Sequence, residues 1–196
     1  MHTEMSTGTS KAALRAKVAA DLKTFAPDYR STESARARAL LEEQSLWQKA
    51  KTILLYAPLP EEVDVWPLVQ KALAERKTIT LPRFDAVAMK YVACRIENPA
   101  EDLVKGRFGI REPVDRCALV SLNRVDLVLV PGVAFDLQGR RLGRGKGFYD
   151  RLLALTQGTT CGVAFDEQVV EEVPVESHDV PLNCILTPTR WLEFPK

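Results

Sequence analysis

The run DLVLV, Asp126–Val130, is apolar at both parities once past its first residue. A strand of that kind must be covered on both faces, which makes it a central strand of a layered structure. The segment after it is as telling. A loop carries Gly139, Gly143, Gly145 and Gly147 among the cations Arg140, Arg141, Arg144 and Lys146, and a helix is expected over Gly147–Leu155. Strand, glycine-rich cationic loop and helix in that order can turn several backbone N–H groups toward one anion. The positive end of a helix adds to the attraction. The segment is therefore expected to hold phosphate.

Two common nucleotide motifs do not fit. A Walker A loop ends in a lysine and a hydroxyl residue that binds magnesium, but Lys146 is followed by Gly147. A dinucleotide fingerprint starts its glycines at the strand end, whereas Gly143, Gly145 and Gly147 come more than ten residues after Val130.

The rest of the chain alternates helix and strand. Ser10 can cap a first helix through about Phe25, closed by Pro27. A second is expected from Ser31 or Thr32, with Ala37, Leu40, Leu41 and Trp47 on one face. Strands are expected at Thr52–Ala57, Thr78–Leu81, Met89–Arg95, Thr160–Phe165, Cys184–Thr187 and Arg190–Phe194. Asp64 can cap a helix to Arg76, with Pro67 in its first turn. Asn98–Arg124 reads as loop-rich, with a short helix at Pro99–Lys105. This pattern predicts an α/β fold, a single three-layer α/β/α domain over residues 1–196 with a mostly parallel sheet, residues 1–9 being disordered.

Charge narrows the function. The net charge is +1, too small for the broad basic surface of a general nucleic-acid binder. The cations gather instead at Arg140, Arg141, Arg144, Lys146 and Arg151, as suits a small anionic ligand. Cys94, Cys117, Cys161 and Cys184 lack metal-site spacing and read as reduced thiols of a cytoplasmic protein. No apolar run approaches membrane-spanning length. Ser177, His178 and Asp179 read as a turn, since a hydrolytic triad is assembled from distant positions and no nucleophile elbow is present.

The stretch VPGVAFDLQGRRLGRGKGFYDR, residues 130–151, resembles the signature of the 5-formyltetrahydrofolate cyclo-ligase family, also called 5,10-methenyltetrahydrofolate synthetases. Further landmarks lie in family order: KAALR at 11–15, Glu62 to Asp64, LPR at 81–83, FGIREP at 108–113, Gln168, Val173-Pro174 and His178-Asp179. The resemblance implies an α/β enzyme that uses ATP and Mg²⁺ to close 5-formyltetrahydrofolate, with or without a polyglutamate tail, into 5,10-methenyltetrahydrofolate. It implies a monomer that engages neither nucleic acid nor membrane.

The resemblance also assigns residues. Arg141, Leu142, Gly143, Arg144, Gly145, Lys146, Gly147, Phe148 and Tyr149 correspond to the ATP-binding loop, with Lys11 and Arg15 also at the nucleotide. Arg144 and Lys146 are the catalytic cations. Glu62 and Phe108 meet the folate, together with residues 144–148; Glu61 stands beside Glu62. Asp150 corresponds to a magnesium ligand. Asn183 stands where relatives can have a second, aspartate ligand, and Asp179 is a nearby substitute. Two other classes stay open: another phosphate-binding α/β protein, which would bind anions without folate-dependent ATP turnover, and a nucleic-acid module using the same cations.

Overall fold

The computed structural model describes residues 10–106, 109–176 and 179–194. Residues 1–9, Phe108, Ser177 and His178, on which expectations were placed, lie outside the described residues.

Helix α1 (Lys11–Lys23) begins as expected, the Ser10 hydroxyl accepting from the Ala13 N–H. Helix α2 (Pro27–Glu43) starts earlier than expected, because Pro27 opens it as well as ending the approach from α1. Proline's fixed φ and missing N–H suit the first helical position, where no intrahelical bond is lost. Trp47 is not on α2. Gln44 is extended, and Trp47 sits on a separate turn, α3 (Ser45–Lys49), which lets the indole reach the core. Asp64 caps only a local turn at Trp66; α4 runs Pro67–Ala74.

The main sheet contains β1 (Thr52–Leu54), β2 (Thr78–Asp85), β3 (Lys90–Ile96), β6 (Leu119–Val120), β7 (Leu127–Pro131), β10 (Thr159–Val163), β12 (Cys184–Leu186) and β13 (Trp191–Glu193). Its order is β13-β12-β10-β7-β1-β2-β3-β6, parallel from β12 through β2 and antiparallel at both flanks. Residues 98–124 are more ordered than expected. After α5 (Pro99–Asp102) they form an antiparallel ribbon of β4 (Leu103–Lys105) and β5 (Arg111–Pro113).

Central strands bury both faces, as the double-parity pattern requires. Ile53, Leu127, Leu129 and Cys161 pack with Leu14, Leu41, Trp47 and Leu68 from the first four helices. Leu54, Val128, Val130 and Ile185 pack with Leu152 and Leu153 of α6 (Phe148–Leu153) and with Phe135. The protein is thus a three-layer α/β domain. The four cysteines are buried and free. Among the described residues, no helix is long and apolar enough to cross a membrane.

Chain order sets the site. From β1 the chain winds outward to β2, whereas β7 lies on the other side of β1 and winds outward to β10 and β12. Between β1 and β7 the connections diverge, and a crevice opens beyond their carboxyl ends.

Candidate functional site at the β1–β7 switch point

A cavity of about 300 Å³ occupies that crevice. Tyr56, Ala57, Leu59 and Glu62 after β1 line it, as do Pro131 and Gly132 after β7 and the glycine loop from Gly143 to Asp150. Pro82 and Tyr91 of the β2–β3 hairpin and Ile110 and Arg111 complete the wall. A larger hollow of about 750 Å³ opens at the opposite end of the sheet, but none of the glycine-loop residues reaches it. The chemistry-bearing residues choose the smaller cavity.

The path from strand to glycine loop is itself structured. It contains a hairpin of β8 (Ala134–Asp136) and β9 (Arg141–Leu142), with β11 (Val169–Val170) parallel to β8, none of which the sequence pattern foretells. Asp136 organises the hairpin turn: the buried carboxylate accepts from Gln138 N, Arg140 N and, at its other oxygen, Val173 N. Gln168 fastens the exit from β7. Its amide donates to Gly132 O at 2.9 Å and Val133 O at 3.0 Å while its carbonyl accepts from Phe165 N. The approach to the glycine loop is therefore braced at two points.

Within it, Gly145 at φ +89° and Gly147 at φ +63° occupy left-handed backbone that a Cβ disfavours. Gly147 flanks α6 directly. That helix has only six residues, so its dipole is small and the expected helix-end contribution shrinks accordingly. Positive side chains supply most of the local field.

The cations differ in posture. Arg141 is buried; it donates from Nη2 to Asp150 Oδ1 at 2.8 Å and from Nη1 to Pro131 O at 3.2 Å, and lies 5.6 Å from the Tyr149 ring centroid. Its Nε is buried without a hydrogen-bond partner among the described residues. Arg144 is half exposed and reaches Glu61 at 2.8 Å and Glu62 at 3.3 Å. Lys146 lines the cavity. Arg15 donates from Nε to Gly143 O at 2.8 Å, and so supports the loop from outside.

Lys11 does not join it. Although Lys11 and Arg15 share a helix face, Lys11 Nζ contacts Asp179 Oδ2 at 2.7 Å and Glu176 at 3.4 Å. Partial burial pulls its pKa down, but those two carboxylates outweigh it and hold it above the ordinary lysine value.

Glu62 is nearly buried. Burial pushes its carboxyl above the ordinary glutamate range, against the Leu59 N–H at 2.9 Å and the charge of Arg144. Loss of water around the phenol likewise pushes the pKa of Tyr149, partly buried in the cavity wall, above the ordinary tyrosine value. Phe84, Tyr91 and Phe148 meet edge to face, at centroid separations of 5.1 to 5.7 Å. Tyr91 and Phe148 bring this aromatic cluster to the cavity lining. Tyr56 and Tyr91 were not anticipated, and Arg111 stood only within the FGIREP stretch with no role attached; the β2–β3 hairpin and the β4–β5 ribbon bring Tyr91 and Arg111 to the crevice.

The second-metal-ligand expectation fails on geometry. Asn183 precedes β12 at the amino end of the sheet, where its side-chain oxygen accepts from Thr160 N at 2.9 Å and Thr160 Oγ1 at 3.1 Å. Asp150 faces the cavity beyond the carboxyl ends, roughly a strand length or 15 Å away at about 3.3 Å per residue. One ion cannot touch both. Asp179 does not line the cavity; it is engaged with Lys11 and Glu176 N. Among the described residues no cluster of three metal-binding side chains exists.

Known proteins resemble this chain over most of its length. Residues 7–188 match the model of the 5-formyltetrahydrofolate cyclo-ligase family. The chain is 35% identical over 149 residues to the 5-formyltetrahydrofolate cyclo-ligase of Escherichia coli, covering 74% of this chain and 82% of that one. It is 35% identical over 175 residues to the Haemophilus influenzae protein of the same name, covering 87% and 91%. The solved structure of Aquifex aeolicus 5,10-methenyltetrahydrofolate synthetase superimposes with a TM-score of 0.86 at 35% identity, covering 95% of this chain and 93% of that one.

Proposed function

The chain belongs to the 5-formyltetrahydrofolate cyclo-ligase family, and from that premise we propose that it closes 5-formyltetrahydrofolate to 5,10-methenyltetrahydrofolate at the expense of ATP. One observation carries the reading: the glycine loop and Glu62 share a single cavity, so a phosphate site and a carboxylate that accepts N–H groups face each other.

The chemistry needs that proximity. The N5-formyl group is an amide, with a poor electrophilic carbon and an oxygen that leaves badly. Transfer of the γ-phosphoryl group to the formyl oxygen releases ADP and makes that oxygen part of a good leaving group. N10 then attacks the formyl carbon and loses its proton, and the C–O bond breaks to release inorganic phosphate. Phosphoryl transfer depends on positioning and charge stabilisation.

In this reading Lys146 and Arg144 hold the phosphates and offset charge on the transferring group. The glycines, free of a Cβ, allow close backbone approach, with Arg15 bracing Gly143 from behind. Arg144 pairs with Glu61 and Glu62. An arriving phosphate competes for it, and Glu62 is then available to the N–H donors of the pterin. Tyr91, Phe148 and Tyr149 provide flat apolar faces for a ring. Asp150 fits a magnesium ion carried in on ATP, because magnesium takes one or two carboxylates beside phosphate oxygens and water. Such an ion would neutralise phosphate charge. The enzyme works as a monomer in the cytoplasm.

The test mixes the purified protein with 5-formyltetrahydrofolate, Mg²⁺ and ATP and follows the near-ultraviolet absorbance of the methenyl product. Product appearing only with all three is the expected result. A folded protein that binds ATP yet forms no product would overturn the reading.

A further inference from the structure

The charged groups that the site offers to its two substrates are engaged with each other. Arg144 Nη2 donates to Glu61 Oε1 at 2.8 Å and to Glu62 Oε1 at 3.3 Å. The two glutamates sit in the connection after β1 and Arg144 in the glycine loop, so this contact ties together two walls of the crevice. Glu62 is fixed at its other oxygen, where Oε2 accepts from the Leu59 N–H at 2.9 Å. Glu62 and Arg144 both line the cavity. Glu61 lies outside the lining, its side chain 40% exposed against 9% for Glu62.

Glu61 is thus the nearer partner of Arg144, yet it meets neither substrate in the folate reading. Its effect falls on the cost of opening the bridge. A phosphate that takes Arg144 must draw it from both carboxylates, and a pterin whose N–H groups take Glu62 must loosen the same contact. Whichever substrate binds first meets that cost, and the second finds its own group released. Two ligands that each need one shared contact to open favour each other's binding, by the same factor in both directions. How strongly the bridge holds sets the upper bound of that factor.

We propose that Glu61 is a positioning residue that locks Arg144 against Glu62, and that opening this bridge makes ATP and 5-formyltetrahydrofolate bind with positive cooperativity. The inference rests on the folate reading above and adds how the two halves of the site communicate. Arg144 is committed to the phosphates in full only when the folate has taken Glu62. Glu61 acts through Arg144 and touches no reacting atom, so its role is read in the coupling between the two ligands.

The test is titration calorimetry with 5-formyltetrahydrofolate and the β,γ-imido analogue of ATP in the presence of Mg²⁺, a pair that cannot turn over. Each ligand binds the wild-type protein about fivefold more tightly when the other is saturating, as for a half-exposed charge contact that must open first. Glu61→Gln and Glu61→Ala each tighten binding of either ligand alone about threefold and bring the coupling factor below about two. Affinity for one ligand in the presence of the other moves by less than about twofold, since the bridge is already open there. A side chain that mattered only for the shape of the loop would weaken binding throughout. A wild-type factor of about one, a factor that both variants leave at about five, or weaker binding of the single ligands in both variants would each overturn the proposal. Failure of the wild-type protein to bind 5-formyltetrahydrofolate at all would instead overturn the folate reading beneath it.

Discussion

Gln168 offers the sharpest test of how the site is held. Its side chain is 2% exposed and makes three hydrogen bonds, two to the carbonyls of Gly132 and Val133 and one from the Phe165 N–H. Gln168→Leu keeps the approximate volume and removes every polar atom, leaving the buried Phe165 N–H and the partly buried carbonyls of Gly132 and Val133 without this partner. Each such orphan costs about 1–3 kcal/mol. Two of the three groups are only partly buried carbonyls, which sets the total near the low end, about 4 kcal/mol. The apolar replacement returns about 1 kcal/mol, so the expected loss of stability is about 3 kcal/mol. For a domain of this size that corresponds to a fall in Tm of roughly 6–12 °C. Urea unfolding at constant m-value is the assay. Because Gly132 lines the cavity, KM for both substrates should rise as well. A loss below about 1 kcal/mol with unchanged kinetics would mean that the loop after β7 braces itself and that the Gln168 bonds are incidental.

Three further residues give narrower tests. Lys146→Ala should lower kcat about a hundredfold or more with Tm unchanged, as for loss of a transition-state charge contact; activity within a fewfold would remove Lys146 from the phosphates. Asp150→Asn should raise the Mg²⁺ concentration needed for half-maximal rate, and an unchanged magnesium titration would exclude it as a ligand. Asp166 governs acid behaviour. Burial acts on it first, upward, but hydrogen bonds from Thr187, Thr189 and Arg190 outweigh it and hold the carboxyl below the ordinary aspartate range. A depressed folded pKa contributes stability that is present above the unfolded value of about 4 and is lost as pH falls below it. The Tm advantage of wild type over Asp166→Asn should therefore shrink from about pH 6 to about pH 3; a constant difference would refute the assignment.

Much of this fold is legible in the chain alone, wherever a rule acts within a few residues. Double-parity apolarity marks Leu127–Val130 as a buried strand, Ser10 caps α1, and the spacing of Gly143, Gly145 and Gly147 among cations marks the loop. The errors fall where two local rules compete. Pro27 both stops an approach and starts a helix, and Gln44 interrupts a helical pattern so that Trp47 can reach the core. The β8–β9 hairpin escapes because its register depends on Asp136 meeting Val173, a contact across 37 residues.

No local pattern decides which residues face one another. The pairing of Arg141 with Asp150, the sharing of Arg144 between Glu61 and Glu62, and the arrival of Tyr91 and Arg111 at one cavity all come from sheet order. The same order sends Asn183 to the opposite end of the sheet from Asp150, although both come from the latter part of the chain. Pattern along the chain was enough for most of the elements, the cationic glycine-rich character of the loop and the family. The membership of the site needed the folded sheet, because parallel strands deliver residues from distant segments to one end of it, and spacing along the chain carries no record of that end.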